Sequence, residues 1–318
     1  MKINLVEEET STVNVTPLQN IIGQQEAIRK VAFFLNSHSL NTPFPSLMFT
    51  GSQGLGKTHT ARKVAECLNR DLIEINCGTI KTDKDFIEGI LFERVAGKRA
   101  KTILFDEAHK LSSEITTILL SLLNTSQDNK NCLTYKGTDI VFDLTKINVI
   151  FATTDAYRLF PPLLNRCEEI YFNLYTNNEL YDILKYYIPD IALTCDPTEL
   201  AYTCRGRARD TYVLASNIKR FCTMKNIKVF DETGLNEIKA IFSVHKYGLT
   251  SPEMKLLHLL KENSPISCQN IAINLGVNES NVEEEIEIRP KELGLIMNTS
   301  RGRCLSQKGI KFLKDAKE

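Results

Sequence analysis

Gly51-Ser52-Gln53-Gly54-Leu55-Gly56-Lys57-Thr58 is the stretch that decides how this chain folds. It fits GxxxxGK[ST], and its flanks match that pattern's context. The apolar run 46–50 predicts a strand before it, and 58–68 has helical spacing after it. Glycines at these positions let backbone N–H groups turn inward and cradle phosphate. The helix that follows aims its positive N-terminal end at the same place. Lys57 is expected to reach the β- and γ-phosphates, and the Thr58 hydroxyl to ligate Mg²⁺. Gly51, Gly54, Leu55, Gly56 and His59 complete the predicted nucleotide-binding segment. A chance glycine-rich turn would lack the flanking strand and helix.

Moving outward, residues 72–75, 102–105 and 147–151 are further strand candidates, separated by helical stretches such as 114–123. Strands alternating with helices imply a parallel sheet covered on both faces, an α/β fold. The apolar run 102–105 ends in Asp106-Glu107. A strand that delivers two carboxylates beside a phosphate loop suits divalent metal chemistry. Asp106 is expected to hold Mg²⁺, and Glu107 to polarise the attacking water. Without the phosphate loop, the same pair would read as a solvated strand end. His109 completes Asp106-Glu107-Ala108-His109, a string also found in DEAH-box helicases. That reading fails, because such helicases need a second domain of the same kind and the residues after 174 are helical.

The strand ending at Phe151 runs into Ala152-Thr153-Thr154-Asp155, which places a polar residue beside the two motifs. Next comes Pro161-Pro162-Leu163-Leu164-Asn165-Arg166. On its own, Arg166 reads as a surface arginine.

The order of these pieces resembles the AAA+ ATPases and, within them, the RuvB family of Holliday-junction branch-migration motors. The resemblance spans about residues 18–313. It rests on Ile22-Gly23-Gln24, Gly54-Leu55-Gly56-Lys57-Thr58, Asp106-Glu107-Ala108-His109-Lys110-Leu111-Ser112, Ala152-Thr153-Thr154, Arg205-Gly206-Arg207-Ala208-Arg209 and Thr299-Ser300-Arg301-Gly302-Arg303. It implies an ATPase core, a helical lid and a C-terminal winged helix, with ATP and Mg²⁺ as cofactors, in a hexameric ring acting on DNA. Under it, Ile22 lines the adenine pocket and Thr154 is sensor 1. Arg166 is the finger that reaches a neighbouring subunit's γ-phosphate, and Arg209 is sensor 2, with Arg205 and Arg207 as rivals. The chain departs from the family at Ser52-Gln53, Leu164 and Ala208, and lacks an adenine-contacting arginine near Thr16 and Pro17. These departures mark a specialised relative.

The chain has 318 residues, 42% hydrophobic and 25% charged, the composition of a folded globular protein. With 39 basic and 39 acidic residues, no global field draws it to nucleic acid, so any affinity must come from a local patch. No apolar run approaches the about 18 residues of a membrane span. The N-terminus carries Glu7-Glu8-Glu9 instead of an apolar core, so no secretory leader is expected. The nine cysteines show no zinc spacing, which reads as free thiols in a reducing, cytoplasmic setting. The expected domains are a flexible arm at 1–16, an ATPase domain at 17–175, a purely helical lid at 176–247 and a winged helix at 248–318.

In the last of these, residues 267–277 and 282–288 have helix-turn-helix spacing, and two strands at 294–298 and 304–306 flank Arg301-Gly302-Arg303. Arg301, Arg303 and Lys308 are the candidate DNA contacts, within a stretch of 299–314 that also holds Lys311 and Lys314 and no acid. Glu283-Glu284-Glu285 would repel DNA from the second helix, leaving the wing as the expected contact.

Residues 132–142 alternate on both sides of Gly137, a hairpin signal. In the resembled family a hairpin here carries the dock for a RuvA-like junction-binding protein. Leu133 and Tyr135 are then expected either to project toward that partner or to pack on the core. Two functions fit the whole: an ATP-driven DNA motor, or a clamp-loader-like or initiator-like ATP switch that loads a partner on DNA.

Overall fold

The computed structural model describes residues 14–38, 43–95, 99–124 and 130–315. Most of the expected N-terminal arm therefore lies outside the described residues. The chain divides into two compact units, 1–175 and 176–318.

The first unit opens with two helices, α1 (Thr16–Gln19) and α2 (Gln25–Asn36). There follow β1 (Leu47–Thr50), α3 (Lys57–Cys67), β2 (Asp71–Asn76), β3 (Lys101–Asp106) and α4 (Ser113–Leu122). A hairpin of β4 (Lys130–Tyr135) and β5 (Thr138–Asp143) leads to β6 (Ile147–Thr153), α5 (Pro161–Leu164) and β7 (Glu168–Tyr171). Strands β1, β2, β3, β6 and β7 form one parallel sheet in the order β2-β3-β6-β1-β7. All seven residues of β6 are buried, as a central strand with helices on both faces requires. This order puts the C-terminal ends of β1 and β3 on either side of the end of β6, so the three sequence motifs meet at one edge of the sheet.

Strand β7 was not among the expected strands. It buries only Ile170 fully, and pairing with β1, not its own apolar pattern, holds it in the sheet.

The expected hairpin forms, and its register sets Leu133 opposite Ile140 and Tyr135 opposite Thr138. Its apolar face corrects one of the two expectations, because Leu133 and Tyr135 pack against the ATPase core. The Tyr135 ring lies 6.4 Å from that of Phe92, and its hydroxyl donates to Glu88. Lys136 Nζ also donates to Glu88, at 2.8 Å. Glu88 belongs to a π-helical stretch, Asp85–Val95, whose Phe86, Ile87, Ile90, Leu91 and Val95 are buried. The outward face instead shows Cys132, Thr134, Asp139 and Val141.

The second unit begins with α6 (Asn177–Tyr187), closed by a capping box in which Thr176 and Glu179 satisfy each other's backbone. Then come β8 (Ala192–Leu193), α7 (Pro197–Thr203), α8 (Ala208–Lys225), β9 (Val229–Phe230) and α9 (Glu232–Ile241). The expectation of a purely helical lid is thereby corrected, since β8 and β9 pair in parallel. Two-residue strands are too short to leave a periodic signature.

The rest of the unit has its own apolar core, including Leu249, Leu256, Leu260, Ile271, Val282, Leu295 and Phe312. Around it lie α10 (Ser251–Glu262), α11 (Cys268–Leu275), α12 (Glu279–Asn281) and α13 (Ile288–Glu292), then β10 (Ile296–Thr299), β11 (Gly302–Leu305) and α14 (Gln307–Asp315). Ser267 caps α11, and Gly276 ends it in left-handed backbone at φ 68°. Strands β10 and β11 pair antiparallel, and Ile266 bridges to Arg303 beside them. This is a winged helix.

Candidate active site

The phosphate loop hangs between the end of β1 and the start of α3. Gly51 has φ 151°, and a Cβ there would sit 2.5 Å from the Phe172 carbonyl oxygen, so no other residue fits. Gly56 turns into α3 at φ 95°, again left-handed. The loop is also tied from outside. Gly51 N–H donates to Thr153 O at 3.3 Å, and the Tyr175 hydroxyl donates to Leu55 O at 3.0 Å.

Lys57 is 7% exposed. Its ammonium donates to the carbonyls of Gly51 at 2.5 Å and Ser52 at 2.8 Å. Burial pushes its pKa down to about 8, opposed by Asp106 and Glu107 nearby. A desolvated cation at the start of α3 is matched to an anion such as phosphate.

Thr58 Oγ1 lies 3.3 Å from Asp106 Oδ2, so the loop and the end of β3 present a hydroxyl and a carboxylate at one point. Hydroxyl and carboxylate oxygens are the hard donors Mg²⁺ prefers, and the pair leaves most of an octahedron for phosphate and water. These residues fit a Mg²⁺–nucleotide.

Glu107 follows in left-handed backbone, φ 56°, an unfavourable conformation for glutamate. Asp106 Oδ1 accepts the Glu107 N–H at 3.0 Å, and the turn Ala108–Lys110 locks the far side. The strained turn aims the carboxylate, whose Oε2 lies 3.3 Å from His109 Nε2. His109 Nδ1 in turn lies 3.0 Å from Thr153 Oγ1. In the sequence His109 stands out only as part of a helicase-like string, with no role of its own. The three-dimensional turn reveals it as the link between Glu107 and β6.

Thr154 is exposed directly after β6, at the same edge of the sheet. Ile22 is half-buried between α1 and α2. Its segment is fixed by Gln24, whose carboxamide donates to Asn173 O at 2.6 Å and accepts Asn173 N–H at 3.1 Å. His59 lies in the first turn of α3, where burial lowers its pKa with Lys63 and Arg62 adding to the effect.

Arg166 is exposed beyond α5. It donates to Pro162 O at 3.1 Å and Asn124 Oδ1 at 2.8 Å, and to no group of its own phosphate loop among the described residues. Arg209 is exposed in the first turn of α8 and makes no hydrogen bond or ion pair among the described residues. Its rivals are both engaged, Arg205 with Glu253 and Arg207 with Glu292.

The wing divides the expected DNA contacts. Arg301 is exposed at the hairpin tip, and Lys308 is exposed on α14. Arg303 does not face outward, which corrects its assignment as a DNA contact. Its Nε donates to Glu287 Oε2 at 3.0 Å and its Nη2 to Glu283 Oε1 at 2.7 Å. Glu287 is almost fully buried and also takes Lys291. Those hydrogen bonds to Glu287 and Glu283 hold the Arg303 guanidinium firmly in its charged form. Arg301→Ala is therefore expected to lower the slope of log affinity for duplex DNA against log salt by about 1 without changing stability. Arg303→Ala is expected to cost the fold roughly 3 kcal/mol by stripping a buried carboxylate of a partner. Salt titrations and thermal melts separate the two, and a melt unchanged in Arg303→Ala contradicts its internal role.

The fold and this site are those of an AAA+ P-loop ATPase core. Residues 47–174 match the model of the ATPase family associated with various cellular activities (AAA), and 246–314 match the RuvB C-terminal winged helix domain. Within that class the chain resembles RuvB. It is 26% identical to the Holliday junction branch migration complex subunit RuvB of Ehrlichia canis, over 97% of this chain and 95% of that protein. It is 27% identical to the same subunit of Campylobacter lari, over 96% and 93%. The structure of the Thermotoga maritima RuvB Holliday junction branch migration motor superposes with a TM-score of 0.78 at 22% identity, covering 92% of this chain and 95% of that one. That likeness shows the fold.

Proposed function

We propose that the chain is an ATP-driven motor that assembles as a ring on DNA and moves the branch point of a Holliday junction, the activity in its relatives' name. The observation that carries this reading is the Thr58–Asp106 pair beneath the phosphate loop, with Glu107 beside it, in a chain that matches those relatives over nearly its whole length. Bound ATP with Mg²⁺ supplies the γ-phosphoryl group for transfer to water. Lys57 neutralises the β- and γ-phosphates, and Thr58 and Asp106 hold the metal. Glu107 takes the proton of the attacking water, and Thr154 orients that water or the γ-phosphate. Ile22 contacts the adenine, and Arg209 reports the nucleotide's state from α8.

Arg166 makes no bond to its own phosphate loop among the described residues, which suits a finger for the neighbouring subunit; a closed hexameric ring satisfies every site in this way. Arg301 and Lys308 meet DNA phosphates. A RuvA-like junction-binding protein docks on the outward face of the β4–β5 hairpin, where Val141 is 59% exposed. Steady-state kinetics test the reading. Sustained turnover stimulated by branched DNA supports the motor, whereas one turnover per DNA-binding event, tied to release of a partner, supports the loading switch instead.

A further inference from the structure

The second unit holds a cluster of charged side chains that the nucleotide chemistry does not use. It grips the loop 204–207 between α7 and α8 from two elements of the winged helix. Arg205 stands in left-handed backbone at φ 55°, and its Nη2 donates to Glu253 Oε1 at 2.5 Å. Glu253 is 2% exposed. Its other oxygen accepts the Thr250 N–H at 2.7 Å, closing the capping box of α10. One carboxylate thus starts a winged-helix helix and holds the lid loop. Arg207, the residue that opens α8, donates from Nη2 to Glu292 Oε1 at 2.5 Å.

Arg289, itself buried, completes the cluster. It donates to the carbonyls of Arg205 at 3.3 Å and Tyr247 at 3.2 Å. Tyr247 is held at φ 62°, and its ring packs on Tyr202 at 5.0 Å and Phe312 at 5.7 Å. A bulky residue stays in that conformation only where its surroundings fix it.

Two residues beyond Arg207 stands Arg209. The first turn of α8 cannot rotate against the winged helix without separating these ion pairs, and separating Arg205 from Glu253 strands the buried Glu253 carboxylate away from water. We propose that this ion-pair joint makes the α7–α8 loop and the winged helix move as one body, so that the nucleotide state read at Arg209 sets the affinity of the wing for DNA. Glu253 and Glu292 are its positioning residues. The proposal rests on the reading of Arg209 given above.

The test uses the full chain and measures affinity for a labelled duplex with a non-hydrolysable ATP analogue and with ADP. Coupling between two sites is reciprocal and usually spans about 5- to 150-fold, so wild type should show a ratio in that range. Glu292→Gln keeps the side chain's shape and removes its charge. It should bring the ratio to within about twofold of unity while leaving nucleotide affinity in the absence of DNA unchanged. Glu292 also pairs with Arg289 Nη1 at 3.4 Å, so the charge is best kept in place: Arg207→Lys should retain the wild-type ratio. A wild-type ratio of one, a wild-type ratio retained in Glu292→Gln, or a ratio lost in Arg207→Lys overturns the joint. Arg209→Ala tests the underlying reading separately. If it keeps the wild-type ratio, Arg209 is not the sensor, while the difference between Glu292→Gln and wild type still reports on the joint.

Discussion

Glu107→Gln should bind ATP as tightly as wild type and hydrolyse it roughly 10²- to 10⁴-fold more slowly, the usual worth of a positioned general base. Glutamine preserves the side chain's length and its reach to His109, and the backbone geometry at φ 56° is set by Asp106 and the following turn. What it loses is the capacity to accept the proton from water. Lys57→Ala should behave differently and abolish nucleotide binding, because it removes the buried cation matched to phosphate. A fluorescent nucleotide titration beside steady-state turnover separates binding from chemistry. Wild-type turnover in Glu107→Gln would remove Glu107 from the reaction.

Arg166→Ala should lower turnover by roughly 10³-fold or more, as loss of an arginine finger does. Its guanidinium is exposed and, among the described residues, bonded only to Pro162 and Asn124, so the fold should be little affected. The decisive form of the experiment mixes subunits. A Lys57→Ala subunit cannot use nucleotide but still offers its Arg166, and an Arg166→Ala subunit still has an intact Lys57. In an equal, random mixture about one interface in four joins the intact Lys57 of one to the intact Arg166 of the other. ATPase activity should return in that proportion. Rings verified as mixed that stay inactive contradict the shared site.

The nucleotide site could be read from the sequence because its chemistry imposes backbone demands that few residues meet. Gly51 occupies a conformation and a space closed to other side chains, Gly56 holds left-handed backbone at φ 95°, and Lys57, Thr58 and Asp106 each supply a specific donor or charge. The relation among Glu107, His109 and Thr153 was not legible, because a single 3₁₀ turn brings Glu107 and His109 together and Thr153 lies 44 residues away from His109. Strand β7 was missed for a similar reason: only Ile170 gives it an apolar signal, and its partner β1 lies far upstream.

The hairpin illustrates what period-2 patterning can and cannot say. It gave the hairpin, yet both faces carried apolar residues, and the choice was made by Phe92 and Glu88 on a distant π-helical stretch. The wing shows the same limit with charge. Arg301 and Arg303 look equivalent in a basic run, but strand pairing turns Arg303 toward Glu287 and Glu283, while Arg301 stays at the tip. The acids of 283–285, expected only to repel DNA, include a partner that keeps Arg303 inside.

The most direct measurement follows a synthetic four-way junction with homologous arms, incubated with this protein and ATP, with and without a junction-binding partner of the RuvA type. ATP-dependent displacement of the branch point is expected, abolished by Glu107→Gln and by Arg166→Ala. A junction that stays in place in both settings while the wild-type protein continues to hydrolyse ATP would contradict the motor.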